Sequence, residues 1–357
     1  MIRTAFITPA LYWGGAERWM LTLARESARE LDWVGCAVIE EMFLSDNMVS
    51  EMGQYMPVWG YGHDAVERVM PKADVLISWG LSSIESLTRR WRIQRRGPLV
   101  FVGHGSGQFD RNAMRAAGKC ASHWVVVSEA CVPAITEECP HAPVQVIENG
   151  IDAQRCVPGR SREEVRRELG IAPHEFAVGY FGRLVPEKNP VGLARAVACL
   201  PERFRGVWIG DGWDMENQRA AIRAILPSAI FRDRVDSNIG DYLRALDVFA
   251  LVSPAEGFSM AFLEACYAGV PTIMTPVGVM PELERRHGRH WEVVPVKHTP
   301  QQLAEAIVRM SQWSDEFRQQ RIASAKRIVE QNHLASHMAA RWCRFLERVL
   351  GSWKVAA

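Results

Sequence analysis

Short apolar runs bounded by glycine, proline or polar residues recur along the chain, at residues 2–8, 34–39, 74–78, 98–103 and 124–128. Stretches of helical length separate several of them, and such alternation predicts parallel strands joined by crossover helices. The texture changes over 152–173, which holds Pro158, Gly159, a dense Arg/Glu run and Gly170-Ile171-Ala172-Pro173. This stretch predicts a linker with one solvated helix over 162–169. Alternation restarts with runs at 176–181, 206–209, 248–252 and 271–275, which predict a second parallel sheet. Beyond Thr299 the periodicity is helical, over 301–313, 317–331 and 337–350. The expected architecture is α/β, with two Rossmann-like domains over 1–155 and 156–335. The last helix, 336–357, is expected to pack back on the N-terminal domain. Ligands of such sheets bind beyond the carboxyl ends of the strands.

Composition narrows the partners. At 357 residues the chain suits two domains of ordinary size, and 48% hydrophobic against 23% charged residues excludes a disordered chain. A formal charge of +1 argues against a large nucleic-acid footprint. The eight cysteines, at 36, 120, 131, 139, 156, 199, 266 and 343, show no Cys-x-x-Cys spacing and no His at ligand spacing. Several lie in apolar runs, where a thiol is a small hydrophobe. A reduced, cytoplasmic protein is expected. The opening MIRTAFITPALYWGG reads as a first strand entering a glycine loop, not as a signal peptide, and nowhere do 18 apolar residues run together.

The richest segment runs from Ser253 to Gly269 as strand, loop, helix and stop. Ser259 is the expected N-cap, 260–268 the helix and Gly269 its C′ residue. The N–H groups at this helix start, beside Gly257 and Phe258, suit a phosphate. Glu264, in the second turn, can accept hydrogen bonds from both hydroxyls of a ribose, and Glu256 in the loop can bind hydroxyls of a sugar. For two glutamates alone, a loop acid and a solvated helix position would be the plainer reading. The adjoining Glu-Gly-Phe-Ser and Ala-Gly-Val-Pro segments weigh against it.

At these residues the chain resembles the retaining glycosyltransferases of GT-B fold, glycosyltransferase family four, also called group 1. The family carries two glutamates with seven residues between, which here read EGFSMAFLEACYAGVPT. The likeness extends from Gly14-Gly15-Ala16-Glu17 to the C-terminal helices. It implies two sheets facing across a cleft, and a nucleotide-diphosphate sugar held by the C-terminal half. Gly182-Arg183 with Lys188 five residues on resembles the family's diphosphate segment. A planar guanidinium fork and a point charge would there neutralise the leaving group. Gly15 would approach the donor with its backbone. His104, at the end of the run 98–103, is a structural histidine on its own, and the resemblance implies contact with the donor sugar. Gly210-Asp211-Gly212 and Asn149-Gly150-Ile151-Asp152 match family segments whose roles are mainly structural. The pattern departs at Val279, where the family commonly has glycine, so that loop is expected to take a different course or admit a different sugar.

The resemblance thus implies Glu256, His104, Arg183 and Lys188 as the catalytic set, and Gly15, Arg183, Lys188, Gly257, Phe258, Ser259 and Glu264 as the donor-binding set. No Asp-x-Asp motif is present and no metal site is expected. No cofactor is expected beyond the donor itself, with UDP or GDP as its carrier. The base is expected to contact backbone near 236–240. The acceptor would be a hydroxyl of a glycan, a lipid-linked sugar or a small molecule. Alternatives on the same fold are a nucleotide-sugar epimerase or hydrolase, and a sugar-nucleotide binding protein without catalysis. The segment 86–96 carries Arg89, Arg90, Arg92, Arg95 and Arg96, with Ile84, Leu87 and Trp91 on one stripe. Its plain reading is a solvated basic face; its sharper one is peripheral docking to the anionic inner face of a membrane or to a phosphate-bearing acceptor.

Overall fold

The computed structural model describes residues 1–12, 14–41, 44–91, 97–235 and 237–356. The chain divides into two compact units, one of 1–150 with 335–357, the other of 151–334.

The first unit holds a seven-stranded parallel sheet: β1 (Ile2–Thr8), β2 (Leu31–Val38), β3 (Val58–Tyr61), β4 (Val75–Ser78), β5 (Leu99–Gly103), β6 (His123–Val126) and β7 (Val144–Val146). Their order is β3-β2-β1-β4-β5-β6-β7. The winding reverses between β1 and β4, so the loops leaving these two strands diverge and open a crevice there. The helix Ala335–Ala356 belongs to this unit, and buries Met338, Trp342, Leu346 and Val349 in the same core as Phe6, Trp19 and Leu23. Trp342 lies 5.4 Å from Trp19, ring centre to ring centre, and Phe6 stacks on Trp33 at 4.4 Å.

The second unit holds a six-stranded parallel sheet: β8 (Phe176–Phe181), β9 (Phe204–Ile209), β10 (Ile230–Arg232), β11 (Val248–Leu251), β12 (Thr272–Met274) and β13 (Glu292–Val293). Their order is β10-β9-β8-β11-β12-β13, and the reversal falls between β8 and β11. The two glutamates and the Arg-Lys segment follow those same two strands.

Both sheets are wider than the apolar runs predict. The additional strands, β3, β7, β10 and β13, are the four sheet edges. Each is short and at most half-buried. An edge strand with one face and one side in water lacks the continuous apolar run that marks a central parallel strand.

The helix Arg162–Glu168 begins where expected, behind a complete capping box between Ser161 and Glu164. It is not simply solvated, which corrects the reading of its Arg/Glu run. Arg166 is buried and donates to the carbonyls of Ala245, Ala172 and Glu175 and to Asp247. Asp247 also takes Arg162 and the Ala177 amide, so one carboxylate ties the helix to the starts of β8 and β11. In the basic stretch, Ile84 and Leu87 are buried on the helix Leu81–Trp91. Residues 92–96 lie outside the described residues, as do the side chains of Arg89, Arg90 and Trp91. Among the described residues no helix is long and apolar enough to cross a membrane.

Replacing Trp342 by alanine is expected to cost the first unit about 3–5 kcal/mol, the range for truncating a fully buried tryptophan. A urea titration followed by tryptophan fluorescence checks it; an unchanged midpoint would mean that the last helix adds nothing to that core.

Candidate active site

The second unit's switch point is built from two loops. On leaving β8 the chain passes Gly182 and Arg183 and makes one 3-10 turn over Pro186–Lys188. It then places Asn189 in the left-handed region (φ 54°, ψ 43°) before the helix Pro190–Val197. Asn189 donates from its amide to the carbonyl of Val252 at 3.3 Å, tying the β8 exit to the β11 exit. The Gly210-Asp211-Gly212 turn packs backbone to backbone on this loop: a Cβ built on Gly210 would lie 2.0 Å from the Gly182 carbonyl oxygen. Asp211 is paired with Arg234 at 2.7 Å. That turn supports the loop of Arg183 and Lys188 from behind.

The second loop leaves β11 and carries Glu256. Lys188 donates from Nζ to Glu256 Oε2 at 2.6 Å, and the carboxylate side chain is only 6% exposed. Its other oxygen, Oε1, is buried with no hydrogen-bond partner, and so are the hydroxyls of Ser253 and Ser259. Buried polar atoms are nearly always satisfied, so these three, unpartnered among the described residues, are open to a ligand or to water. Gly278 (φ 60°) presses against this loop: a Cβ there would sit 3.0 Å from that of Glu256 and 3.1 Å from the Gly257 carbonyl.

Ser259 stands at the N-cap position of the helix Met260–Tyr267, but its hydroxyl makes no capping bond. This corrects its expected role. Side-chain capping needs an extended residue, and Ser259 is left-handed at φ 73° and ψ 74°. First-turn amides have no partner within a helix, so those of this helix remain suited to an anion. Phe258 is buried with its ring 5.9 Å from His333, so its side chain serves packing and the backbone is what it can offer a ligand. The helix ends in a Schellman motif, with the Val270 amide donating to Ala265 and Gly269 (φ 78°) to Cys266. Glu264, in its second turn, is buried and pairs with Arg155, Nη1 to Oε1, at 3.1 Å.

The two cations of the loop after β8 differ. Lys188 is engaged with Glu256, whereas Arg183 is exposed, 3.7 Å from Glu187. Val279, the departure from the family pattern, lies at φ −71° and is fully buried. A right-handed backbone needs no glycine, and the valine fills the space.

In the first unit, Gly15 is the first residue of the helix Gly15–Ser27, at the exit of β1. Glu17, in that helix's first turn, is buried and folds back over Gly14, where a Cβ would lie 2.3 Å from its Oε2. A Cβ on Gly15 would meet nothing within 4 Å. His104 follows β5 and packs edge-on against Trp19 at 4.9 Å and Trp79 at 5.6 Å. Its Nε2 is buried without a partner, and burial holds its pKa down at about 3.

The structure thus brings Lys188, Glu256, Gly257 and Ser259 to one switch point, and Gly15 and His104 to the carboxyl side of the other sheet. Sequence reasoning missed Ser253, Asn189 and Arg155. Ser253 opened the segment 253–269 without a role, and Asn189 directly follows Lys188. Arg155 pairs with a residue 109 positions away, which no local pattern signals.

Comparison with known proteins follows the same lines. Residues 175–312 match the family model described as glycosyl transferases group 1. The lipopolysaccharide core biosynthesis mannosyltransferase LpsB of Rhizobium meliloti is 33% identical over 150 residues, 40% of this chain and 43% of that one. The D-inositol 3-phosphate glycosyltransferase of Actinosynnema mirum is 28% identical over 228 residues, 59% of this chain and 52% of that one. The chain thus spans roughly half or less of the length of these curated relatives. The crystal structure of Anabaena HepE in complex with UDP and glucose superposes with a TM-score of 0.84 over 97% of this chain and all of that one, at 19% identity. The fold is GT-B.

Gly278→Ala is expected to destabilise the second unit by about 1–2 kcal/mol through its positive φ and the crowding at Glu256. Gly15→Ala, with open space, is expected to stay within about 0.5 kcal/mol; thermal unfolding of both variants checks the contrast. His104 adds a pH dependence. Its folded pKa of about 3 lies below the ordinary 6.5, so the unfolded chain takes the proton first as pH falls. The first unit therefore loses stability from about pH 6.5 downward to about pH 3, at up to about 1.4 kcal/mol per pH unit. His104→Phe should flatten this slope in urea titrations at pH 5 and 7.

Proposed function

We propose that this chain, whose residues 175–312 carry a group 1 glycosyltransferase domain, transfers a hexose-type sugar from a nucleotide-diphosphate donor to a hydroxyl acceptor. Transfer would retain anomeric configuration and need no metal. The observation that carries the reading is the loop after β11: a buried carboxylate with one oxygen on Lys188 and the other unpartnered, flanked by two unpartnered serine hydroxyls. Such a lining is rich in acceptors and meets the many O–H donors of a sugar ring. The amides at the start of the helix Met260–Tyr267 meet the diphosphate, and Glu264 accepts from the ribose. A UDP-bound neighbour of the same fold makes UDP the first carrier to test.

In the transfer, the bond between the anomeric carbon and the diphosphate oxygen breaks while the acceptor oxygen bonds to that carbon on the same face. The acceptor's proton leaves with the departing phosphate oxygen. Lys188 and Arg183 offset the charge that develops on the leaving group, and work as preorganised electrostatics. Glu256 orients the sugar through its hydroxyls. His104 is assigned to the same donor sugar, as a neutral imidazole at physiological pH. The acceptor is a hydroxyl of a glycan, a lipid-linked sugar or a small molecule; one relative's name points to a glycoconjugate and another's to a small inositol phosphate.

A thermal-shift panel of UDP, GDP, ADP, dTDP and their sugar conjugates, with and without EDTA, tests the donor site. One nucleotide is expected to stabilise the protein, to do so in EDTA, and to lose its effect in Glu264→Ala. Product analysis with the selected donor should show a new α- or β-glycoside matching the donor's anomer, and Glu256→Ala should slow its formation by on the order of 100-fold. Free sugar plus nucleoside diphosphate, with no glycoside formed on any acceptor tried, would put hydrolysis in place of transfer. No shift with any nucleotide would remove the donor site altogether.

A further inference from the structure

We propose that Arg155 is a positioning residue for the donor. From the chain crossing into the second unit, it fixes the carboxylate of Glu264 so that a ribose, and not a 2′-deoxyribose, is selected. The proposal rests on Glu264 being the ribose acceptor.

The geometry is specific. The chain enters the second unit at Ile151, whose amide donates to the carbonyl of His333 at 2.8 Å. Asp152 then accepts from the Gln154 amide at 3.1 Å and caps the single-turn helix Ala153–Cys156. That turn aims Arg155 at Glu264, on the helix that follows β11, and the guanidinium donates to Oε1 at 3.1 Å. Only 15% of the Arg155 side chain and 7% of the Glu264 side chain are exposed. Burial, and after it the charge of Glu264, push the thiol of the adjoining Cys156 up.

Burial decides between two roles for the arginine. A surface partner could be displaced by an incoming ribose, and the pair would then be a competitor of the donor. Separating a buried pair leaves an uncompensated charge, which is strongly unfavourable. Arg155 therefore stays with Glu264 when the donor binds. An ionised carboxylate has about four acceptor positions and can serve an arginine and ribose hydroxyls together. Its remaining lone pairs then point in directions set by the Arg155 bond. Without the arginine, a carboxylate at this depth favours its neutral form and turns away, losing acceptors for the 2′- and 3′-hydroxyls.

Isothermal titration of the full chain with UDP and 2′-deoxy-UDP tests this, or with GDP and 2′-deoxy-GDP if the panel selects guanine. The wild type is expected to prefer the ribonucleotide by about tenfold, the worth of one hydrogen bond to a charged group. Glu264→Gln and Arg155→Ala should each reduce that preference to about threefold or less, and Arg155→Lys should keep an intermediate preference. Binding of inorganic pyrophosphate should be unchanged in all three, which separates loss of ribose selection from damage to the fold. If the alanine variant does not fold, Arg155→Met, which keeps the apolar stem, takes its place. Discrimination lost in Glu264→Gln but intact without Arg155 would overturn the proposal and leave the ribose reading standing. A wild type that does not discriminate, with Glu264→Gln no different, would overturn both.

Discussion

A carboxylate taken out of water has to be matched by a positive group, and in the second unit that requirement organises the structure from the sheet outward. Asp247 binds Arg162 and Arg166 and pins the entering helix to the starts of β8 and β11. Asp241 takes the amides of Gly159 and Arg160 together with the Arg160 side chain, and so fixes the segment before that helix. At the opposite, carboxyl end of the sheet the same rule applies to Glu256 with Lys188 and Glu264 with Arg155. The first two pairs have all their obvious partners within the fold and act as fasteners. Glu256 differs in one respect: half of it is matched and the other half waits. An incomplete match at that depth is costly, and the ligand that completes it recovers the difference as affinity.

Much of the fold could be read along the chain because both sheets are parallel and their central strands are buried on both faces. Continuous apolar runs therefore marked β1, β2, β4, β5 and β6, and then β8, β9, β11 and β12. What escaped was confined to the edges. β13 is two residues long and half-buried, and β3 passes from half-buried to exposed. Strands of this kind exist because the neighbouring strand supplies a ladder, not because their own residues demand it. The Arg/Glu run at 162–168 misled in the other direction. A buried arginine with four acceptors around it looks, in sequence, like a surface charge.

The site was legible to the extent that its chemistry is local. Glu256, Ser259 and Glu264 sit on one loop and one helix, which the local pattern placed, and the family resemblance singled out Arg183 and Lys188 in the loop after β8. Pairing was not legible: which cation faces which acid depends on strand order, and β8 and β11 become neighbours only in the folded sheet. Backbone conformation was equally hidden. Ser259 has the composition of a capping residue, yet its left-handed backbone turns the hydroxyl away from that task. Val279, at which a different loop course or a different sugar is expected, lies in a right-handed conformation that its sequence does not announce.

The first unit is interrupted: its sheet is complete by residue 146, but the helix that seals one face of it begins at Ala335. Between them lies the whole of the other unit. On a ribosome, which delivers the chain from its N-terminus, the first unit therefore cannot complete its core until the second has been made. Trp19, Phe6 and Leu23 emerge early and wait, without the rings of Trp342 and Phe345, until all of 151–334 has been made. The 151–334 body meanwhile has all its own strands and helices in hand and can finish first. The helix Ala335–Ala356 then acts as a closing seam for a core begun at the first strand.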